Sequence, residues 1–332
     1  MAFFELEDWE KEHIKASLPD IELKLFSDKL SIANVKEIRD CDALGVFIYS
    51  KVSKEIIDSL PNLKLITTMS TGFDPLDIDE CAIKGIPVCN VPTYGANTVA
   101  EHTFALILTL SRKLVESVDR TRKGDFTIEN LRGFDIRGKT IGIIGCGNIG
   151  EHVAKIAKGF EMDVIVFDVN KDTKKSKEMG FKYVKFDELL AKSDIISLHA
   201  PYNKHTHHMI NKESIQKIKK GAYIINTARG GLVETEALYT ALKQGILAGA
   251  GIDVIEEECT IKEEKELLSP EFMKACNLKT VLANHMLMHM DNVIITPHNA
   301  FNSKEALTRI MDVTVANIRA CMQGKCINKV AR

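Results

Sequence analysis

Short apolar runs alternate along this chain with segments whose apolar residues recur at helical spacing. In residues 1–96 the strand-like runs are 21–26, 44–49, 65–69 and 86–89, and helical patterns fall at 54–60 and 75–84. Asp74 and Pro75 read as the N-cap and first helical position of the second helix. A second series of strand-like runs covers 140–144, 164–168, 182–184, 195–198, 223–226, 248–253 and 293–296, with helical segments between most of them. Strands separated by helices predict parallel pairing, because a parallel crossover needs a connection of helical length. The expected fold class is therefore α/β, a small parallel unit followed by a doubly wound parallel sheet. Between the two, residues 97–115 (NTVAEHTFALILTLSRKLV) predict a helix capped by Asn97. Its apolar arc is wide enough to need cover on several sides, between domains, between subunits or both. Residues 114–138 turn charged and read as a solvated connector, 259–292 interrupt the alternation, and 304–322 predict a last helix.

Composition narrows the class. At 332 residues and 37.0 kDa the chain is long for one hydrophobic core, which favours two domains. A net charge of -2 and a pI near 6.6 give no basic field for nucleic acid or an anionic membrane, so neither partner is expected. The eight cysteines include no C-x-x-C pair and read as reduced thiols of a cytoplasmic protein. The acidic start, MAFFELEDWEKEHIK, is unlike a signal peptide, and no apolar run approaches a membrane span.

The most specific pattern is residues 139–168, KTIGIIGCGNIGEHVAKIAKGFEMDVIVFD. A G-x-G-x-x-G alone is weak evidence and can be a ligand-free strand-to-helix turn. Here it sits in a complete βαβ unit that ends in an acidic residue, Asp168, which is the setting a dinucleotide fingerprint requires. Gly145 permits the tight turn, Gly147 lets backbone N–H groups approach a pyrophosphate, and Gly150 lets helix and strand pack closely, with Asn148 and Ile149 opening the helix. Asp168 suits the adenosine ribose hydroxyls and repels a 2′-phosphate, so the expected cofactor is NAD.

Three further strand ends carry chemistry: Asn226-Thr227-Ala228-Arg229-Gly230, the run from Gly251 to Glu258, and Thr296-Pro297-His298. An arginine binds a carboxylate bidentately, a histidine exchanges protons near neutrality, and a glutamate against that imidazole stabilises its charged form. Each has a plainer reading. Arg229 could be an ion-pair partner, the acidic run could be solvated surface with Glu256 or Glu257 in place of Glu258, and His298 could be structural. His205, His207 and His208, and the pair His285 and His289, lack the accompanying carboxylates of a metal motif, so no metal is expected.

Taken together, GCGNIG, INTARGGLVE at 225–234, GAGIDVIEEE at 249–258 and TPHNAF at 296–301 resemble the D-isomer-specific 2-hydroxyacid dehydrogenases over nearly the full length. The resemblance implies that Arg229 grips the substrate's carboxylate and carbonyl, that Glu258 supports the histidine, and that His298 is the acid/base. It implies a discontinuous, flavodoxin-like substrate domain, 1–96 plus 300–332, with a Rossmann NAD-binding domain, 97–299, inserted. Beyond the glycine loop and Asp168, the implied NAD contacts are His199, Ala200, Pro201 and Thr206 after one strand, Thr227, Ala228 and Arg229 after the next, and Asp253 near the nicotinamide. The segment VPTYGANTVAEH at 91–102 resembles the D-lactate dehydrogenase branch, where a tyrosine, here Tyr94, closes over the substrate methyl group and an aromatic, here Phe301, faces it. Thr71 and Gly72 match the turn whose N–H groups take the substrate carboxylate. Gly95-Ala96 departs from that branch's Ser-Pro, and Cys259 stands where the family usually has proline after the glutamate.

The expected activity is reduction of pyruvate to D-lactate by a cytoplasmic homodimer. The alternatives are a reductase of hydroxypyruvate, glyoxylate or bulky aromatic 2-oxo acids and, from another class, an NADH-sensing corepressor-like binding protein.

Overall fold

Every strand pair within the two sheets of this protein is parallel. The structure, a computed structural model, describes residues 1–256 and 277–330. It divides into two units, Met1–Gly95 with Asn302–Arg332, and Ala96–Phe301.

In the smaller unit, β1 (Ala2–Phe3), β2 (Lys24–Leu25), β3 (Ala43–Val46), β4 (Leu65–Thr68) and β5 (Val88–Cys89) form a sheet in the order β2-β1-β3-β4-β5. This is the flavodoxin-like order. One face buries Leu44, Ile66 and Val88 against α2 (Lys54–Asp58) and α3 (Ile78–Ile83). The other buries Phe3, Leu65 and Met69 with Ile14 of α1 (Asp8–Ser17) and with Ile310, Met311 and Ile318 of the C-terminal helix, Lys304–Met322. Neither β1 nor α1 stands out in the sequence, because β1 pairs through only two residues and α1 is polar on most of its surface.

α3 begins three residues later than Asp74-Pro75 suggests. Pro75 sits in a turn and Leu76 is bridged to Val52, which donates to the Pro75 carbonyl and accepts from the Asp77 amide (both 3.0 Å). The N-cap is Asp77, whose carboxylate accepts from the Glu80 amide at 3.0 Å.

The larger unit holds a seven-stranded sheet in the order β12-β11-β10-β9-β6-β7-β8. Its strands are β6 (Thr140–Ile144), β7 (Asp163–Phe167), β8 (Lys182–Tyr183), β9 (Ile195–Leu198), β10 (Ala222–Asn226), β11 (Leu247–Ile252) and β12 (Val293–Ile295). Counted from β6 this is the doubly wound dinucleotide-binding order extended by one strand, with its switch point between β6 and β9. α4 (Ala96–Arg112) covers one face with Phe104, Leu106 and Ile107, alongside α6 (Asn148–Gly159).

The helix expected over 97–115 is in fact two. It opens at Ala96, so Asn97 lies within its first turn rather than capping it, and Lys113 adopts a left-handed φ of 50° that separates α4 from α5 (Leu114–Arg122). The first part of the charged stretch is thus helical. α7 (Thr173–Met179), α8 (Phe186–Lys192), α9 (Thr235–Lys243) and α10 (Leu278–Met288) complete the layers. Among the described residues no helix is long and apolar enough to cross a membrane.

Candidate active site

β6 runs straight into the glycine loop, and each glycine there has its own steric reason. Gly145 has φ +90°, and a Cβ on it would lie 2.6 Å from the Ala200 nitrogen. A Cβ on Gly150 would lie 2.2 Å from the Gly145 carbonyl oxygen, whereas Gly147 faces open space. α6 starts at Asn148 with Gly147 as an N-cap that supplies no side-chain hydrogen bond. Its first N–H groups therefore point, with the positive end of the helix dipole, at a site where backbone is accessible.

Asp168 stands just past β7. Its carboxylate accepts from the Cys146 amide (2.7 Å) and the Asn170 amide (2.8 Å), which fixes it at the rim of the loop. Burial, and then the nearby carboxylates of Glu151 and Asp168, push the Cys146 thiol up to about 11, so it stays protonated. An open cradle over Gly147 with a carboxylate at the next strand end fits the pyrophosphate and adenosine ribose of NAD.

Past β9, His199 is half-buried and its Nε2 lies 2.8 Å from the Ser197 hydroxyl. Burial drives its pKa down to about 3, so the ring is neutral. Ala200 and Pro201 follow, and Thr206 closes the loop by donating to the Pro201 carbonyl at 2.7 Å.

β10, β11 and β12 end level with one another, Asn226 pairing with Ile252 and Ile252 with Ile295. The ends of β10 and β12 are thus about 10 Å apart, two strand spacings, a gap that an arginine and an imidazole can close from either side. Asn226 shapes the first end. Its side chain accepts from the Ala228 amide (3.1 Å) and donates to the Arg229 carbonyl (2.9 Å). The Thr227 hydroxyl meets that of Thr103 on α4 at 3.0 Å.

Asp253, 1% exposed, braces the loop that carries His298. Its Oδ1 accepts from the Thr296 hydroxyl (2.5 Å) and the Asn299 amide (3.0 Å), and its Oδ2 from the Ala300 amide (2.9 Å). His298 sits in that loop at φ 52°, its amide donating to the carbonyls of Asp253 and Thr296 (both 2.9 Å). A left-handed non-glycine residue is unfavourable by about 1–3 kcal/mol and persists where its surroundings over-determine it. Phe301 packs edge-on beside His298, ring centroids 6.4 Å apart.

The family profile described as "D-isomer specific 2-hydroxyacid dehydrogenase, NAD binding domain" matches residues 104–300. The chain belongs to the D-isomer-specific 2-hydroxyacid dehydrogenases. It is 34% identical to a "2-hydroxyacid dehydrogenase homolog" of Haemophilus influenzae over 99% of this chain and 98% of that one. It is 38% identical to a "Glyoxylate reductase" of Thermofilum pendens over 88% and 81%. Among solved structures, the D-lactate dehydrogenase of Aquifex aeolicus, complexed with NAD and lactic acid, superposes with a TM-score of 0.86 at 38% identity over 99% of both chains. As a member of this family the protein is an oxidoreductase, and its cofactor is NAD.

The remaining residues singled out in this 2-hydroxyacid dehydrogenase have separate fates. Glu258 lies outside the described residues. Glu256, one of the two substitutes for it, is engaged elsewhere: its carboxylate is 2.6 Å from His208 Nε2 and accepts from the Thr235 amide (2.8 Å) and hydroxyl (2.7 Å). That accounts for one histidine of the 205–208 cluster, and the Tyr202 hydroxyl meets His207 Nδ1 at 3.0 Å.

In the smaller unit, the Thr71 hydroxyl donates to the Val91 carbonyl (2.8 Å), and the carbonyls of Thr71 and Gly72 accept from Asn90 (2.8 Å) and Ser70 (2.6 Å). The Tyr94 carbonyl accepts from Arg309 Nε at 2.5 Å.

Sequence reading assigned no role of their own to His102 and Thr296. His102 Nε2 lies 3.1 Å from the Thr296 hydroxyl and 3.5 Å from Asp253 Oδ1. Because that hydroxyl donates to Asp253, the contact assigns His102 the Nε2–H tautomer. Their signal was present, a histidine early in α4 and a threonine before Pro297, but nothing in the chain order says that these two meet. The structure also corrects the reading of all cysteines as thiols: Cys321 and Cys326 form a disulfide.

Proposed function

We propose that this enzyme reduces pyruvate to D-lactate, with Arg229 as the substrate grip and His298 as the acid/base. The observation that supports this most is the level ending of β10, β11 and β12, with the His298 loop braced on the buried Asp253 carboxylate. A planar guanidinium matches the carboxylate and carbonyl oxygens of a 2-oxo acid and stays charged throughout. When bound, NADH supplies the hydride for the carbonyl carbon. Negative charge then develops on the carbonyl oxygen, and the His298 imidazolium donates its proton there. Asp253, Thr296 and His102 keep the loop from relaxing out of its left-handed turn. Glu258 is assigned the role of stabilising the charged imidazole. Gly145, Gly147, Asn148, Ile149, Gly150 and Asp168 would hold the cofactor's pyrophosphate and ribose, with the loops after β9 and β10 along its length.

Thr71, Gly72 and Tyr94 are the proposed substrate contacts of the smaller unit, and Phe301 the aromatic neighbour of the acid/base. The relationship to a glyoxylate reductase supports glyoxylate as the second reading. We place the enzyme in the cytoplasm as a homodimer, for which the exposed apolar side chains of Leu114, Val115 and Val118 on α5, with Phe126 and Ile128 beyond it, are the support.

The test is steady-state oxidation of NADH across pyruvate, glyoxylate, hydroxypyruvate and phenylpyruvate. Pyruvate is expected to give the highest kcat/KM. A glyoxylate preference would replace the substrate assignment and leave the chemistry intact.

A further inference from the structure

In the smaller unit Cys89 meets two cysteines more than 230 positions later in the sequence. Cys89 ends β5, Cys321 lies in the last turn of the C-terminal helix, and Cys326 lies in the segment that follows. Their sulfur atoms all fall within 4.8 Å of one another, and Cys89 Sγ is 3.7 Å from Cys321 Sγ. Cys89 is buried, whereas Cys321 and Cys326 are half-buried, so one side of the cluster opens to solvent.

The backbone around the cluster is pinned. The Asn90 amide donates to the Asn328 carbonyl (3.1 Å), the Val330 amide to the Val88 carbonyl (2.8 Å), and Asn317 from the C-terminal helix to the Asn90 carbonyl (2.9 Å). The fold thus sets the approach of Cys89 to the Cys321–Cys326 pair, which the disulfide joins. Burial raises the Cys89 thiol above its ordinary range, and the positive charge of Lys329, bridged to Cys89 through the backbone, offsets only part of that.

We propose that Cys89, Cys321 and Cys326, once the 321–326 bond is reduced, form a trithiolate site for a soft d10 cation such as Zn2+. In a tetrahedral site with metal–sulfur bonds of about 2.3 Å, ligand sulfurs stand about 3.8 Å apart, close to the separation already present between Cys89 and Cys321. Reduction by a dithiol or phosphine adds two electrons and two protons to the disulfide and yields two thiols. Metal binding then displaces the protons of the three thiols, and a solvent molecule on the open side completes four-coordination. The disulfide and the metal thus compete for the same two sulfurs, and only the reduced chain can be loaded. This stands independently of the substrate assignment, since Cys89 and its partners take no part in the proposed reaction.

The experiment uses the full chain, reduced with a phosphine and freed of it anaerobically, then titrated with Zn2+ against a chromophoric chelator and with Co2+ for its thiolate charge-transfer absorption. One metal per chain is expected, with thiolate bands in the Co2+ form and no uptake by the oxidised protein. Outer-shell partners of metal sites are worth about 10–100-fold in affinity, so Cys326→Ser, which removes a ligand, should weaken binding by at least that. Cys89→Ser should do the same, and because it alters a buried residue its fold is checked by circular dichroism. Should Cys89→Ser fail to fold, Cys326→Ser decides. Equal Zn2+ affinity in the reduced wild type and Cys326→Ser would overturn the site, as would a Co2+ spectrum without thiolate bands.

Discussion

The imidazoles of this enzyme are handled in three ways by their surroundings. His298 is held on a braced loop, His102 is fixed as one tautomer by Thr296 and Asp253, and His199 is packed beside Ser197 where desolvation disfavours its charged form. The last has a consequence for stability. Burial sets the folded His199 pKa at about 3 against 6.5 for the exposed residue, so between those values the unfolded chain binds a proton that the folded chain refuses. Stability is therefore full above about pH 6.5 and falls as pH drops below it. Urea denaturation at a series of pH values should show this decline, and His199→Gln should flatten it; an equal slope in the variant would remove His199 as the cause. The sequence made some of these residues readable and hid others. Arg229 and His298 announce themselves at strand ends, while the brace depends on Asp253 reaching amides more than forty positions away, a pairing that only the parallel register of β11 and β12 creates.

At the scale of elements, the strand-to-helix turn of β6 and α6 is the tightest constraint. A methyl group on Gly150 would collide with the Gly145 carbonyl oxygen, so the helix would have to withdraw from the strand. Gly150→Ala is expected to lose about 1–3 kcal/mol of stability, the usual range for overpacking, and to weaken NADH binding. Calorimetry and fluorescence titration of the variant check both, and wild-type values in each would show that the packing has slack.

Periodicity located nearly every strand of the larger sheet because buried parallel strands read as continuous apolar runs. It failed where tertiary contacts decide. β1 is too short to register, α3 is delayed because Leu76 is bridged to Val52, and a left-handed Lys113 breaks what looks like one helix into α4 and α5. The cysteine cluster was illegible for the same reason, since Cys89 and Cys321 are 232 positions apart.

For the whole molecule, α5 and the segment after it leave a set of apolar side chains in water, with Phe126 80% and Ile128 85% exposed. Sedimentation should therefore show a dimer, and Phe126→Asp should shift it towards monomer; a monomeric wild type would refute the proposed assembly. In the proposed reaction a braced imidazole protonates a 2-oxo acid held by Arg229 while NADH reduces it. The most direct measurement is kcat for pyruvate in His298→Gln, with NADH affinity followed in the same variant by fluorescence. A positioned acid contributes about 10²–10⁴-fold, so kcat should fall by that factor while NADH binds as in the wild type. Turnover within a few-fold of wild type would contradict the account.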